Sequence, residues 1–169
     1  MFIPKKIIVW MVICYLILYM DAFYILNRPE TLRGGKYFGF FSPYEYYVEY
    51  DKLYGMNEDS FVVIQSWLNI CESTIAFIAL FIAFSSCRVK QMIGACLCLF
   101  VNALTFWKTI IFVWYDLDWI TEDAHNFTTG SILCYYIPSS FWIIGPFISA
   151  ILISRRMVQF VKEKVKSEW

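Results

Sequence analysis

Phe61 to Phe84, FVVIQSWLNICESTIAFIALFIAF, holds 24 residues and a single charge, Glu72, at its middle. At about 1.5 Å per residue it can cross a hydrocarbon layer roughly 30 Å thick. Read as a membrane span, it places Glu72 near the bilayer midplane. An acid there costs about 2.5 kcal/mol or more unless it meets a partner or a wet cavity. Gln65, Asn69 and Glu72 are spaced i, i+4, i+7, with Ala76 continuing the stripe, so they share one helical face. That polar seam requires the rest of the chain to cover it.

The composition agrees with a membrane setting. The 169 residues are 60% hydrophobic and 21% aromatic, with mean hydropathy +0.56, against about 45–50% apolar residues in soluble domains. Formal net charge is zero, which gives no basic surface for nucleic acid. Cys14, Cys71, Cys87, Cys96, Cys98 and Cys134 lie in or beside apolar runs, and none forms a C-x-x-C pair. They read as small buried hydrophobes, and neither a metal nor a cofactor is expected.

Outward from the central stretch, Ile7 to Leu26 is the first apolar run, preceded by Lys5 and Lys6. It is too long for a signal-peptide core, and no small-x-small cleavage pattern follows, so it reads as a span. Asp21 lies about a turn and a half from its distal end. From position alone it either sits at headgroup level or points inward with Glu72.

Asn27 to Ser60 is polar but crowded with Tyr and Phe, a composition suited to a membrane interface. Gly34-Gly35 breaks the chain. Ser42-Pro43-Tyr44-Glu45 reads as an N-cap, a proline at the first helical position and a capping-box glutamate, with Gly55 as the stop. This predicts a short interfacial helix from Pro43 to Tyr54, a lid over one end of the bundle.

A turn with Arg88 and Lys90 leads to the third run, Gln91 to Tyr115, where Asn102, Thr105 and Thr109 share a face. Lys108 either snorkels to the headgroups, the favoured expectation, or pairs inward with Glu72 or Asp21. An acidic loop follows, with Asp118, Glu122, Asp123 and His125, which reads as a solvated histidine. The sequon Asn126-Phe127-Thr128 lies close to the next apolar run and is expected to go unused. The fourth run, Ser131 to Ile153, contains Pro138 and Pro146, whose freed carbonyls nearby hydroxyls can satisfy. Tyr135, Ser139, Trp142 and Pro146 fall on one stripe. Trp142 is either a flat wall for a planar ligand or a packing contact to the third helix.

The N-terminus, the turn between the second and third runs, and the end of the chain carry nine Lys and Arg together; the opposite side carries four, with ten acids. The positive-inside rule then puts both termini in the cytosol and the two long loops in a lumen. No cysteine lies in those loops, so no disulfide is expected. The expected fold is all-α: one polytopic domain over 1–169, a four-helix transmembrane bundle with spans at about 7–26, 61–84, 91–115 and 131–153, a short lumenal interfacial helix and a basic cytosolic tail, 155–169.

The expected ligand site comprises Asp21, Gln65, Asn69, Glu72, Asn102, Thr105, Tyr135, Ser139 and Trp142. A buried carboxylate pairs strongly with an ammonium or else tends to hold its proton. Beside a second carboxylate it can do acid–base chemistry, and aromatic faces can stabilise a carbocation. The residues therefore allow a pocket for an amphiphile with one polar or cationic head and a planar apolar body, or an isomerase acting on a lipid with Asp21 and Glu72 as its acids. A third class is a trafficking or scaffolding protein, whose acids pair with Lys108. The partners to expect are a lipid-like small molecule, the bilayer, and a second copy of the chain or another membrane protein.

Glu72 in Ile-Cys-Glu-Ser-Thr-Ile (70–75), the segment Asp21-Ala22-Phe23-Tyr24-Ile25-Leu26, and Tyr136-Ile137-Pro138-Ser139-Ser140-Phe141-Trp142-Ile143-Ile144-Gly145-Pro146 together resemble the EXPERA domain family. That family includes the emopamil-binding protein, a sterol Δ8–Δ7 isomerase, and the sigma-2 receptor. The resemblance runs from the first helix to the fourth and implies an endoplasmic-reticulum protein of four or five helices with a sterol-sized cavity. The four-span length looks closer to the sigma-2 branch. By position, Asp21 and Glu72 match the family's acids on the first and second helices, and Trp142 its fourth-helix tryptophan. Asp51 is similar in place to a lumenal-loop acid of the sigma-2 type. Two positions depart from the isomerase: Ser139 stands where it has an asparagine, and Ile17 where it has a histidine. Both weaken the isomerase expectation.

Overall fold

The structure, a computed structural model, describes residues 2–55 and 59–167. Among the described residues, four helices are long and apolar enough to cross a membrane. They are α1 (Lys5–Leu26), α4 (Ser60–Ala83), α5 (Arg88–Asp116) and the helical stretch Thr129–Ser167, which ends in α8 (Ile137–Ser167). The short helices α2 (Phe38–Phe41), α3 (Tyr44–Val48), α6 (Glu122–His125) and α7 (Thr129–Ser131) lie in or beside the two long loops.

The central stretch is α4, as expected. Asp59 caps it by accepting from the Phe61 N–H at 2.7 Å. It packs between α1 and α5, and α8 lies along α5. The shared core draws Met11, Tyr15 and Leu18 from α1, Ala76, Ala79 and Ala83 from α4, Ala95, Cys98 and Val101 from α5, and Ile153 from α8. Small residues let helix backbones come close where no hydrophobic drive separates them from lipid. Gly94 shows how close: a Cβ there would stand 2.5 Å from the Ala83 backbone nitrogen. On the other side, a Cβ on Gly145 would run into the Trp10 indole. Trp10 therefore needs a glycine opposite it for α1 to meet α8. The outer faces carry Ile13, Leu16, Trp67, Phe81, Phe100, Trp107 and Trp114 exposed, an apolar surface of the kind a bilayer covers.

The lid departs from expectation. In place of one helix over 43–54, α2 and α3 are followed by a 3-10 turn, Lys52–Tyr54. Ser42 makes no side-chain cap, and its hydroxyl donates to Gly39 O instead. Glu45 does not close a capping box either: it pairs with Arg33 at 2.8 Å. The helix stops because Asp51 turns inward and its Oδ1 accepts from the Leu53 N–H at 2.8 Å, starting the next turn. Arg28, just after α1, holds that turn by donating to the carbonyls of Leu53 and Gly55.

The fourth helix also differs at both ends. Pro138 has no N–H for the carbonyl four residues back, and the chain answers with a π-helical turn, Ile132–Tyr136, just before it, a known accommodation inside helices. The nearby hydroxyls serve other carbonyls, Ser139 donating to Tyr135 O and Ser149 to Gly145 O. Beyond Ile153 the expected tail is not separate: α8 runs unbroken to Ser167. Residues 168–169 of that tail lie outside the described residues.

The two loops are tied together by a buried acid pair. Asp51 forms a β-bridge with Ile120, through Lys52 N to Trp119 O at 3.2 Å and Thr121 N to Tyr50 O at 2.9 Å. The Asp51 and Asp116 side chains are both fully buried and lie close enough to act on each other's charge. Tyr135 donates to Asp116 Oδ2, and no further donor reaches Asp51 Oδ2 or Asp116 Oδ1. Two buried carboxyls so close resist a double negative charge, which favours a proton on the pair. Burial first, and the facing Asp116 second, push the Asp51 carboxyl well above the usual carboxylate range.

A raised acid is protonated in the fold at pH values where the unfolded chain has lost the proton. Its stabilisation is complete below about pH 4, the ordinary aspartate value, and is lost as pH rises through the folded-state value. Thermal melts of the detergent-solubilised chain should therefore fall between pH 5 and pH 8.5. Asp51→Asn supplies the missing donor permanently and should flatten that slope. Asp51→Ala should cost about 1–3 kcal/mol. A wild-type melting temperature rising over this range would exclude the shared proton.

Candidate functional site

The first-helix acid, Asp21, lies where α1 runs beneath the lid. Its Oδ1 accepts from the Tyr44 hydroxyl at 3.4 Å. Its Oδ2 accepts from the Tyr54 hydroxyl at 3.2 Å and from Asn69 Nδ2 at 3.2 Å. Two of these donors come from the lid and one from α4, so the acid joins the lid to the bundle.

One turn deeper, Glu72 is 3% exposed. Lys108 reaches inward to it: Nζ donates to Glu72 Oε2 at 2.5 Å and to Asn69 Oδ1. The favoured expectation of a snorkelling Lys108 is thus corrected. The reason is energetic: an ionised carboxylate in an apolar bundle is far costlier alone than beside an ammonium, and α5 places Lys108 within reach of it. Thr105 donates to Glu72 Oε1, and Tyr15 stands 3.3 Å from the Thr105 hydroxyl. The result is one continuous chain of hydrogen bonds from Tyr15 through Thr105, Glu72, Lys108 and Asn69 to Asp21 and the lid tyrosines.

A cavity of about 370 Å³ opens against one end of this chain, within the range of small-molecule sites. Its polar lining includes Asp21, Gln65, Ser66, Asn69, Lys108, Thr109 and Ser139. Its walls are Tyr44, Tyr46, Tyr47, Tyr54, Phe112 and Trp142, with Ile17, Leu18, Pro43, Val62, Cys134 and Pro138. Trp142 thus stands at the cavity and also packs against the core cluster.

Of the nine expected site residues, Asp21, Gln65, Asn69, Ser139 and Trp142 line the cavity. Glu72 and Thr105 stand behind Lys108 in the network. Asn102 is turned back on its own helix, donating to Cys98 O at 2.7 Å and touching Met11 Sδ at 3.7 Å. Tyr135 points to Asp116 instead, because the π-helical turn changes its phase relative to Ser139. The sequence reading missed Thr109, Phe112, Ser66 and the lid residues Tyr44, Tyr47 and Tyr54. For Ser66 and Thr109 a signal was present, since Ser66 adjoins Gln65 and Thr109 was already placed on the Asn102 face. His125 is exposed in its loop, as is Asn126 of the sequon.

Removing one partner of a buried ion pair leaves an uncompensated charge and costs about 3–5 kcal/mol. Lys108→Met alone should therefore lower stability by that order, and Glu72→Gln with Lys108→Met together should recover most of the loss. Denaturation of Lys108→Met, Glu72→Gln and the double variant in one detergent gives the coupling energy directly. Additive losses would show that the pair does not interact.

Comparisons with protein-family models, with curated proteins and with solved structures find no match to this chain.

Proposed function

We propose that this chain is a multi-pass endoplasmic-reticulum membrane protein that binds a sterol or a related amphiphile in its intramembrane cavity, in the manner of the sigma-2 receptor. The observation that carries the reading is the cavity itself: a polar end at Asp21, Asn69 and Lys108 facing flat aromatic walls. That arrangement suits a rigid apolar body with one polar head. The four apolar helices support membrane insertion, and the excess of Lys and Arg at both termini supports a cytosolic side for them. The endoplasmic-reticulum placement follows from the EXPERA resemblance.

A second reading, sterol Δ8–Δ7 isomerase, is favoured by one observation. Asp21 and Glu72 are linked through Asn69 and Lys108, so a proton shift at one acid is felt at the other, and Trp142 offers a face to a carbocation. Against it, Ile17 lines the cavity where the isomerase has its histidine.

A radiolabelled sterol should bind the purified chain saturably and be displaced by unlabelled sterol. Asp21→Asn should weaken that binding by about tenfold or more, the loss of a charged hydrogen-bond acceptor. Unchanged affinity in the variant would remove Asp21 from the site. Expression in an isomerase-deficient yeast strain separates the two readings: formation of the Δ7 sterol supports the enzyme, and its absence alongside sterol binding supports the receptor.

A further inference from the structure

A second, much smaller void of about 10 Å³ lies beyond the deep end of the cavity, with barely the room for a water. Met11, Tyr15, Asn102, Thr105 and Pro146 are among its walls. Among the described residues, Trp142 is the one side chain that lines both spaces. On each helix the void lies one to two turns farther from the lid than the cavity. Tyr15 and Met11 follow Leu18 on α1, Thr105 and Asn102 follow Lys108 on α5, and Pro146 follows Ser139 on α8. The two spaces are therefore one column between the same three helices, divided by one indole.

The divider is held in place. Trp142 packs against the core that α1, α4, α5 and α8 share. One turn farther along α8, Trp10 of α1 fills the space over Gly145, and its ring lies 6.2 Å from that of Phe141. At the other end of the cavity, Asp21 sits beneath the lid, bonded to Tyr44 and Tyr54. A ligand whose polar head meets Asp21 directs its body away from the lid, past Leu18, Ile17 and Pro138. That path ends on the Trp142 ring.

We infer that Trp142 is the floor of the cavity and a specificity determinant: it sets how long an apolar body the cavity accepts behind a polar head at Asp21. This rests on the ligand-pocket reading above. A body longer than the column presses on a ring that the core holds still, and overpacking of that kind is worth about a factor of ten in affinity. The space behind the indole is already partly open. A smaller side chain at this position joins the void to the cavity and lengthens the column by one to two turns.

The test uses the full chain in lipid nanodiscs and a series of radiolabelled 3-hydroxysterols with one ring system and a side chain lengthened stepwise from none. The measured quantity is the affinity of each probe relative to the shortest, which does not depend on the fraction of folded protein. In the wild-type chain this relative affinity should reach a maximum and fall once the side chain meets the floor. Trp142→Ala should move the maximum to a longer side chain and raise the relative affinity of the longest probe by about tenfold. Trp142→Phe keeps a smaller ring and should give a smaller shift in the same direction; it carries the test if the alanine variant does not fold. Trp107→Ala, on the exposed face of α5, should leave the profile unchanged. One profile shared by wild type and the Trp142 variants, or an equal shift in Trp107→Ala, overturns the floor and leaves the pocket standing. Binding of no probe to the wild-type chain overturns the pocket reading and this inference with it.

Discussion

A carboxylate at the centre of an apolar bundle is the constraint from which the rest of this structure follows. Glu72 cannot stand alone there, and Lys108 neutralises it at 2.5 Å. An ion pair of this kind adds little net stability compared with apolar packing, but it allows few arrangements. It requires α5 to present Lys108 to the α4 seam, and it orders Asn69, whose amide lies between Lys108 and Asp21. Asp21 in turn binds Tyr44 and Tyr54 of the lid. The position of the lid is therefore linked, through four side chains, to a charge buried in the second span.

The loop end of the bundle has its own anchor. Asp51 and Asp116 draw the first loop, the end of α5 and, through Tyr135, the start of the fourth helix to one point. The two anchors do different work. The ion pair sets which side chains face the cavity, and the acid pair sets how the loops close above it. The cavity lies between them, and its aromatic walls come largely from residues that one anchor or the other holds in place.

How much of this could be read from the sequence differs with the kind of signal. The spans around α1, α4 and α5 are long apolar runs, and their bounds came within a few residues. Asn69 and Glu72 were legible because helical spacing and cost per buried charge are local properties, whereas position alone left Asp21 open between the headgroups and the interior. Lys108 was not, since a side chain that long can reach either the headgroups or the core, and only the placement of α5 against α4 decides. The early end of α3 depends on Asp51 turning inward toward the second loop, a contact made far outside the helix it ends. Asp116, the last residue of α5, adjoins the acidic loop that begins with Asp118, and nothing local marks it as buried. Its partner Asp51 lies 65 positions earlier in the chain, and no short-range pattern joins them.

The unbroken course of α8 has a mechanical consequence. At about 1.5 Å per residue, its 31 residues make a rod of about 46 Å, whereas a bilayer core is roughly 30 Å thick. With the apolar part of α8 in such a layer beside α5, the last turns would stand clear of it as a stiff stalk. Arg155 and Arg156 would then fall near the boundary, and Lys162, Lys164 and Lys166 further out. A disordered basic tail would sweep the nearby headgroups freely. This one carries its charge at a set height and direction, rigidly joined to the helix that supplies Ser139 and Trp142 to the cavity.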